Sequence, residues 1–389
     1  HGLVARKHAP HLRAKRRQRN EAEHRVIDST VRSQHQQRRQ RRDVVALQEF
    51  ATELSRHLGA VTDERGKVLG SGFLRQRLAP QIGAVLADAF DAKTEAMALL
   101  AERAGVPAGV FSVVTNSRAS IIGKEFCENH LVRKLSFTGS TEVGRILLRQ
   151  AADQVMKCSM ELGGNAPFIV FDDADLDEAV IGAIACKFRN NGQTCVCANR
   201  IFVHEKVADA FGEKLAERVN KMTVGDGING DVDLGPLINQ AGYDKVKRHV
   251  QDALEKGATL VAGKKPEELG NDLFFPPTVV QGVDREMRCY QEETFGPLVP
   301  MALFRTEEEV IEAGNDTEFG LASYVFTADA ERAQRVAAGL RFGHVGWTTG
   351  TGPTPEAPFG GMKASGTGRE GGLEGLFEFV EAQTVPRGF

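Results

Sequence analysis

The chain has 389 residues, of which 41% are apolar and 26% are charged, and its net charge is −3. These values are ordinary for a globular protein, and the length exceeds what one hydrophobic core fills, so two or more domains are expected. A membrane span and a disulfide framework are both disfavoured, because apolar runs are short and the six cysteines have no regular spacing.

The first 42 residues are strongly basic, with 13 Lys and Arg against three acidic residues and almost no apolar periodicity. Such a segment buries too little surface to offset its ordering entropy, so we expect it to be disordered or loosely helical. It could be an arm for an acidic partner, an Arg-rich targeting segment, or a sequence other than the native N-terminus, since the chain begins with His1. The third interpretation or simple disorder is favoured. Specific nucleic-acid binding is not expected, because no aromatic residues interleave the arginines.

Apolar spacing along the chain predicts alternating helices and strands. Helices are predicted over residues 44–58, 75–100, 141–152, 175–188, 206–222, 243–256, 307–314 and 330–340. Strands are predicted over residues 134–137, 168–171, 200–204, 259–262, 276–281 and 298–304, with an edge strand over 378–384. This alternation predicts an α/β fold with a mostly parallel sheet and helices on both faces.

Residues 187–200 (KFRNNGQTCVCANR) place Cys195 in a polar turn, just past a glycine and after an apolar run. A turn rich in backbone N–H groups favours the thiolate, which is the nucleophilic form of cysteine. The alternatives are a packing role and a C-x-C metal pair. The other cysteines are scattered singly and supply no second ligand pair, so no metal site is predicted.

Upstream, residues 160–168 (MELGGNAPF) hold Glu161 between apolar residues and a glycine pair. A carboxylate against apolar neighbours has a raised pKa, which suits a general base that activates water. The alternative is a carboxylate at a strand end that faces solvent.

The turn at Gly139, Ser140 and Thr141 opens a predicted helix. Free N–H groups and the helix dipole favour a phosphate at such a turn, although an ordinary capped helix has the same pattern.

The segments 160–168 and 192–195 (GQTC) together resemble the signature of the aldehyde dehydrogenase superfamily, in which they supply the general base and the nucleophile. Segments 136–144 (SFTGSTEVG) and 292–297 (EETFGP) are similar to cofactor-contacting segments of that family. The match extends from about residue 102 to residue 385, with the four motifs in the family's order. The resemblance implies a Rossmann-type cofactor domain, an α/β catalytic domain and a small oligomerisation strand segment.

By this resemblance the chain divides into four parts. Residues 1–92 are an atypical basic and helical region, residues 93–162 the remainder of the NAD(P)-binding domain, residues 163–364 the catalytic domain, and residues 365–389 a C-terminal segment with an oligomerisation strand. A homo-dimer or homo-tetramer without membrane association is implied, in the cytoplasm or alternatively the mitochondrial matrix.

The resemblance also implies a mechanism in which the Cys195 thiolate forms a thiohemiacetal and then a thioester, which Glu161 hydrolyses by activating water. NAD or NADP is the implied cofactor, and the sequence does not decide between them. Its contacts are assigned to Thr138, Gly139, Ser140, Val143, Leu162, Glu293, Phe295 and Phe359.

Within the superfamily, residues 188–200 most resemble succinate-semialdehyde dehydrogenases. In that group an arginine at the position of Arg189 holds the distal carboxylate of the substrate, a role that suits a guanidinium fork. Thr354 falls near a serine that helps to bind succinate semialdehyde in relatives. The expected reaction is therefore NAD(P)-dependent oxidation of succinate semialdehyde to succinate. Cys197, as in some relatives, could form a strained redox-sensitive disulfide with Cys195; the alternative is that the two side chains point to opposite faces of a strand and do not react.

Two family segments are not found in this sequence: a Pro-Trp-Asn segment whose asparagine donates to the oxyanion, and a Lys-Pro segment whose lysine binds the cofactor ribose. The one tryptophan is Trp347. Loss of an oxyanion donor costs roughly 10² to 10³ in rate, so we expect weak activity or none from this chain. The alternative function is that of an impaired paralogue that acts in oligomerisation or binding.

Overall fold

A computed structural model describes residues 91–105, 118–228, 230–265, 268 and 273–388. The chain divides into two compact units, residues 1–117 and residues 118–389. The described part of the first unit contains helix α1 (Asp91–Arg103), which runs across the predicted domain boundary at residue 92. The basic segment 1–42, the predicted helix 44–58 and most of the predicted helix 75–100 lie outside the described residues.

In the described part of the second unit the elements alternate as predicted. The helices are α2 (Ala119–Glu128), α3 (Thr141–Ala152), α4 (Leu176–Lys187), α5 (Ala208–Val219), α6 (Gln240–Glu255), α7 (Arg288–Gln291), α8 (Glu307–Asn315), α9 (Ala330–Gly339) and α10 (Gly372–Phe377). The strands are β1 (Lys134–Thr138), β2 (Lys157–Glu161), β3 (Ala166–Val170), β4 (Ala198–His204), β5 (Thr259–Ala262), β6 (Thr278–Gln281), β7 (Leu298–Phe304), β8 (Ala322–Phe326), β9 (His344–Trp347) and β10 (Gly366–Thr367).

The larger sheet has seven strands in the order β5-β6-β7-β4-β3-β8-β9, and every pair except β5 with β6 is parallel. Strands β3, β4 and β8 are buried at every residue. Successive residues of β3 point to opposite faces, so Phe168 and Val170 join one apolar cluster and Ile169 joins another. Helices therefore cover both faces of the sheet, as expected for parallel strands.

Side-chain caps fix where several helices begin. The Ser140 hydroxyl accepts a hydrogen bond from the Val143 N–H, and Asp175, Thr306 and Asp329 cap α4, α8 and α9 in the same way. These caps satisfy N–H groups that the first helical turn leaves without a partner.

The smaller sheet has the order β1-β2-β10, with β1 and β2 parallel and β10 antiparallel to β2. A separate apolar cluster that includes Leu135, Leu147, Met160 and Leu162 packs this sheet against its helices. The chain passes from the smaller to the larger sheet between Glu161 and Ala166, where the predicted boundary at residue 162 falls.

The predicted strand over residues 378–384 is not formed. Helix α10 ends at Phe377 and residues 380–388 have no regular element. A strand needs a neighbour to satisfy its N–H and C=O groups, and no described strand runs beside this segment. Among the described residues, no helix is long and apolar enough to cross a membrane.

Candidate active site

Glu161 is the last residue of β2 and lies inside the protein rather than in solvent, with an exposed fraction of 5%. Its Oε2 atom is buried and has no hydrogen-bond partner. Burial, reinforced by the nearby Glu370 carboxylate and opposed by Arg369, raises its pKa to about 8. A buried carboxylate with a free oxygen and a pKa near neutrality is suited to remove a proton from water.

Cys195 follows α4 and a short 3₁₀ turn (Arg189–Gly192) in which Asn190 and Asn191 have left-handed φ angles of 49° and 59°. Asparagine tolerates this conformation, which lets the chain reverse before the thiol. The thiol is half-buried, and burial, then Glu293, then Glu161 raise its pKa to about 11. At neutral pH the sulfur is therefore a thiol, and it needs a base to become the nucleophile.

The backbone brings these segments into contact at Gly164. A Cβ atom on Gly164 would lie 2.5 Å from the Cys195 carbonyl oxygen, so the contact requires glycine. The Gly164 N–H donates to Glu293 Oε1 over 3.0 Å. Three segments that are distant in sequence thus meet at one point.

The N-terminus of α3 lies beside Glu161. Thr138 pairs with Glu161 across β1 and β2, and the Gly139 N–H donates to the Glu161 carbonyl oxygen. Thr138, Gly139 and Ser140 are exposed, and Val143 in the first helical turn has an exposed fraction of 42%. An open helix N-terminus of this kind fits the diphosphate of NAD or NADP.

Leu162 fixes the distance between this helix and β2. It has an exposed fraction of 4%, and a Cβ on Gly144 of α3 would lie 2.5 Å from its Cδ2 atom. Glycine at this point lets the helix pack closely against the strand that carries Glu161. The structure thus gives Leu162 a packing role beside the predicted cofactor contacts.

Glu293, Phe295 and Phe359 fit the remaining part of a dinucleotide. Burial raises the Glu293 pKa, and its carboxylate lies beside Gly163 and Gly164. Phe295 has a left-handed φ of 56° and an exposed fraction of 38%. Phe359 is half-buried and exchanges backbone hydrogen bonds with Glu370. A carboxylate for the ribose hydroxyls and two accessible aromatic rings are compatible with a bound nicotinamide nucleoside.

Arg189 is exposed, and no described carboxylate forms an ion pair with its guanidinium. A Cβ on Gly352 would lie 3.0 Å from its Nη2 atom, so the loop after β9 passes beside the guanidinium. Thr354 is also exposed and lies two residues further along that loop. The structure brings the loop and Arg189 together but shows no hydrogen bond between Arg189 and Thr354.

Cys197 is buried, and its Sγ lies 2.6 Å from Thr194 Oγ1. All six cysteines are free, so Cys195 and Cys197 are both in the thiol form. Among the described residues, no group of His, Cys, Asp and Glu side chains could hold a metal ion.

Three buried polar residues that hold the site together were not predicted from sequence: Asn165, Asn199 and Ser365. The Ser365 hydroxyl donates to the Gly163 carbonyl oxygen over 2.6 Å, and its own carbonyl accepts from the Leu162 N–H. The two asparagines lie within the quoted motifs, but nothing in the sequence shows that their side chains meet.

The family model described as aldehyde dehydrogenase family matches residues 91–385. The chain therefore belongs to the aldehyde dehydrogenase family, as the resemblance implied.

Relatives with assigned names agree. The chain is 55% identical over 286 residues to a protein of Escherichia coli strain K12 named succinate-semialdehyde dehydrogenase (NADP+), covering 74% of this chain and 59% of that protein. It is 54% identical to a glutarate-semialdehyde dehydrogenase of Pseudomonas aeruginosa, with the same coverage of both chains. The chain thus spans less than two thirds of the length of these relatives.

Solved structures show the same fold. An oxidoreductase from Marinobacter aquaeolei is 71% identical, with a TM-score of 0.76 over 82% of this chain and 68% of that one. A succinate-semialdehyde dehydrogenase from Burkholderia pseudomallei is 53% identical, with a TM-score of 0.72 over 79% of this chain and 66% of that one.

Proposed function

We propose that the protein oxidises an aldehyde that carries a distal carboxylate, most specifically succinate semialdehyde to succinate, with NAD or NADP. The observation that carries the proposal is that the Cys195 loop lies directly against Gly164, three residues after Glu161, whose Oε2 atom is buried and has no partner among the described residues. The Glu161 and Glu293 charges both raise the pKa of the Cys195 thiol. A nucleophile and a base in neighbouring segments are what acyl chemistry through a thioester requires.

The sulfur acts first. Cys195 loses its proton to a neighbouring base and attacks the aldehyde carbon, which forms a thiohemiacetal whose oxygen can be held by the Cys195 backbone N–H. NAD or NADP, when bound, would supply the hydride acceptor, so that oxidation of the thiohemiacetal carbon leaves a thioester on Cys195. The cofactor would be held by the open N-terminus of α3 and by Glu293.

Glu161 completes the reaction. In its ionised form it takes a proton from a water molecule, which attacks the thioester carbonyl and releases the acid with the thiol restored. The pKa of about 8 keeps a fraction of Glu161 ionised at neutral pH while leaving it basic enough to accept that proton.

Arg189 supports a substrate with a distal carboxylate. Arg189 is exposed, and its guanidinium has no described ion-pair partner and lies beside Gly352 in the loop after β9. A guanidinium keeps its charge at any relevant pH and pairs with a carboxylate through two parallel hydrogen bonds. The chain has relatives named for succinate, glutarate and aspartate semialdehydes, and each of these aldehydes carries a carboxylate at the end distant from the aldehyde.

The experiment is an assay of nicotinamide reduction by the purified chain with succinate semialdehyde and with NAD or NADP in turn. We expect cofactor reduction that Cys195→Ala abolishes. Reduction that persists in Cys195→Ala would contradict the proposal, and its absence from the wild-type chain with every semialdehyde would favour the impaired paralogue. A wild-type turnover of roughly 10 s⁻¹ or more would contradict the expected weak activity.

The assembly and the compartment are also proposals. We propose a homo-dimer or homo-tetramer in which residues 378–384 gain the strand neighbour that the single chain lacks. Six free thiols are consistent with a reducing compartment, the cytoplasm or the mitochondrial matrix. Size-exclusion chromatography with light scattering tests the first statement.

A further inference from the structure

Two buried asparagines occupy equivalent places in the catalytic motifs. Asn199 follows Cys195 by four residues, and Asn165 follows Glu161 by four residues. Their exposed fractions are 2% and 0%. Asn199 Nδ2 donates to Asn165 Oδ1 over 2.7 Å, so the two motifs are joined by a direct amide–amide hydrogen bond.

Asn199 also brackets Glu293. Its Nδ2 donates to the Glu292 carbonyl oxygen over 2.9 Å, and its Oδ1 accepts from the Thr294 N–H over 2.9 Å. The backbone on each side of Glu293 is thus held by one side chain. The Gly164 N–H holds the carboxylate end of the Glu293 side chain. Both the backbone from which this side chain starts and its carboxylate are therefore fixed in position.

The other side of this segment is held independently. His249 is buried, and its ring nitrogens lie 3.1 Å from Thr294 Oγ1 and 3.3 Å from Glu292 Oε2. These contacts fix the side chains of the flanking residues. Asn165 Nδ2 also donates to the carbonyl oxygens of Tyr290 and Gln291 over 3.0 and 3.3 Å, so the backbone just before Glu292 is held by Asn165 itself. The bonds from Asn199 are the described side-chain bonds to the backbone of the two residues that flank Glu293.

We infer that Asn199 is a positioning residue, which sets where the Glu293 carboxylate lies relative to Cys195 and so couples the cofactor-contacting segment to the nucleophile. The inference rests on the proposed function for the meaning of that coupling. The placement of the carboxylate can be measured without turnover.

The test uses the alkylation rate of Cys195 by iodoacetamide as a function of pH, followed by mass spectrometry of the peptide that contains it. Three acidic groups raise the pKa of this thiol, namely Glu293, Glu161 and the Cys197 thiol. Glu293→Gln should lower the pKa of the Cys195 thiol. At pH values below that pKa the alkylation rate should then rise by roughly 3- to 10-fold, since lowering the pKa by one unit raises the thiolate fraction tenfold. Asn199→Ala should give a shift in the same direction because Glu293 is released.

The double variant gives the decisive comparison. Asn199→Ala combined with Glu293→Gln should alkylate like Glu293→Gln alone, because the effect of Asn199 acts through the Glu293 charge. An Asn199→Ala profile equal to that of the wild type would overturn the inference, and so would additive shifts in the double variant or a Glu293→Gln profile without a shift. None of these alkylation results depends on aldehyde oxidation. A failure of the proposed function would be detected separately, in the cofactor-reduction assay.

Asn315 supplies a matched control. Its side chain brackets a backbone segment in the same way, donating to the Gly339 carbonyl oxygen over 2.8 Å and accepting from the Arg341 N–H over 2.8 Å. Asn315→Ala removes two equivalent hydrogen bonds away from Cys195. It should lower stability without moving the alkylation profile, and a shift as large as that of Asn199→Ala would overturn the inference.

Steady-state kinetics add a second readout. With Asn199→Ala the KM for the cofactor should rise while the KM for the aldehyde stays the same, because Glu293 belongs to the cofactor side of the site. If Asn199→Ala fails to fold, Asn199→Ser carries the test, since its hydroxyl keeps one of the bonds, and an intermediate shift is expected. Equal changes in both KM values, or no change in either, would count against the assignment.

Discussion

The carbonyl oxygen of Cys195 rests against the α-carbon of Gly164, so closely that a Cβ atom at residue 164 would lie 2.5 Å from it. The obstacle is backbone rather than the end of a flexible side chain, so it cannot rotate away. The loop that carries the thiol is therefore seated directly on the segment that follows Glu161.

Gly164→Ala should displace the Cys195 loop. We expect a loss of stability of roughly 1–3 kcal/mol from overpacking and a drop in kcat/KM of roughly 10²-fold, because a displacement of about 1 Å at a reacting group has that effect. Urea denaturation and the reduction assay measure the two changes. Gly230→Ala is the control, since a Cβ there has no neighbour within 4 Å, and a similar loss in both variants would contradict the argument.

Glu161→Gln should separate the two halves of the reaction. If Glu161 activates the hydrolytic water, the variant still transfers hydride once, so stopped-flow absorbance should show a burst of close to one reduced cofactor per site. The steady-state rate that follows should fall by roughly 10²- to 10⁴-fold, the usual contribution of a general base. A variant with neither burst nor turnover would instead assign Glu161 to deprotonation of Cys195.

The same carboxylate should make stability depend on pH. The folded pKa of Glu161 is about 8 against an ordinary value of 4.5, so the folded state binds the extra proton between these values. Ionisation of a buried group disfavours the fold, and stability therefore falls as pH rises from about 4.5 to about 8. Glu161→Gln should remove this loss and be more stable than the wild type at pH 8.5, by roughly 1–3 kcal/mol.

The measurement is urea denaturation of both proteins at pH 5 and pH 8.5. The advantage of the variant should grow with pH and vanish at the lower value, where Glu161 is largely protonated. An advantage that is equal at both values would mean that the carboxylate is not the cause.

Arg189→Ala should raise the KM for succinate semialdehyde by roughly 10- to 100-fold, the range expected for loss of charge-assisted hydrogen bonds. An aliphatic aldehyde of similar length without a carboxylate provides the control, because its KM should not change. Arg189→Lys should restore only part of the affinity, since a lysine ammonium lacks the planar fork. Equal losses for both aldehydes would exclude recognition of the carboxylate.

The pair Cys195 and Cys197 should respond to oxidation. Peroxide treatment of the wild type should abolish activity, and a thiol reductant should restore it, if a disulfide protects the nucleophile from further oxidation. In Cys197→Ala, excess peroxide should oxidise Cys195 past the reducible sulfenic acid to the sulfinic acid, so the inactivation should be irreversible. The present contact of Cys197 with Thr194 Oγ1 must break for the bond to form, so recovery in Cys197→Ala would disprove the pairing.

Much of the fold follows from local patterns. The repeat of Val207, Phe211, Leu215 and Val219 predicts α5, and the strands over residues 259–262 and 298–304 are found with the predicted bounds. Residues 344–347 form β9, although no strand is predicted there. Local apolar spacing does not identify β9, which contains a glycine and whose strand conformation depends on pairing with β8.

The missing strand over residues 378–384 has a similar cause. Its alternating pattern predicts a strand. The pattern is local, however, whereas a strand needs the backbone hydrogen bonds of a neighbouring strand. In the single chain, Lys157 Nζ donates to the carbonyl oxygens of Phe377 and Val380, so part of this segment is held by a side chain instead.

For the site, the motifs located Cys195 and Glu161 because each lies in an unusual local setting of glycine and polar residues. Their roles remain predictions, and the structure brings the segments that carry them into contact at Gly164. Asn199 could not be found in this way. Its partners lie at Asn165, Glu292 and Thr294, and only the pairing of β3 with β4 brings the first of them into reach.

Glu161 sits in the middle strand of the smaller sheet, and one of that strand's two neighbours, β10, enters the chain some 200 positions later. During synthesis from the N-terminus, the base therefore remains at an unfinished sheet edge until residues 366–367 have emerged from the ribosome. By then every strand of the larger sheet has been made. A nascent or prematurely terminated chain can thus form the larger sheet while the smaller sheet beside Glu161 is still incomplete. The active site is therefore completed only when synthesis is nearly finished.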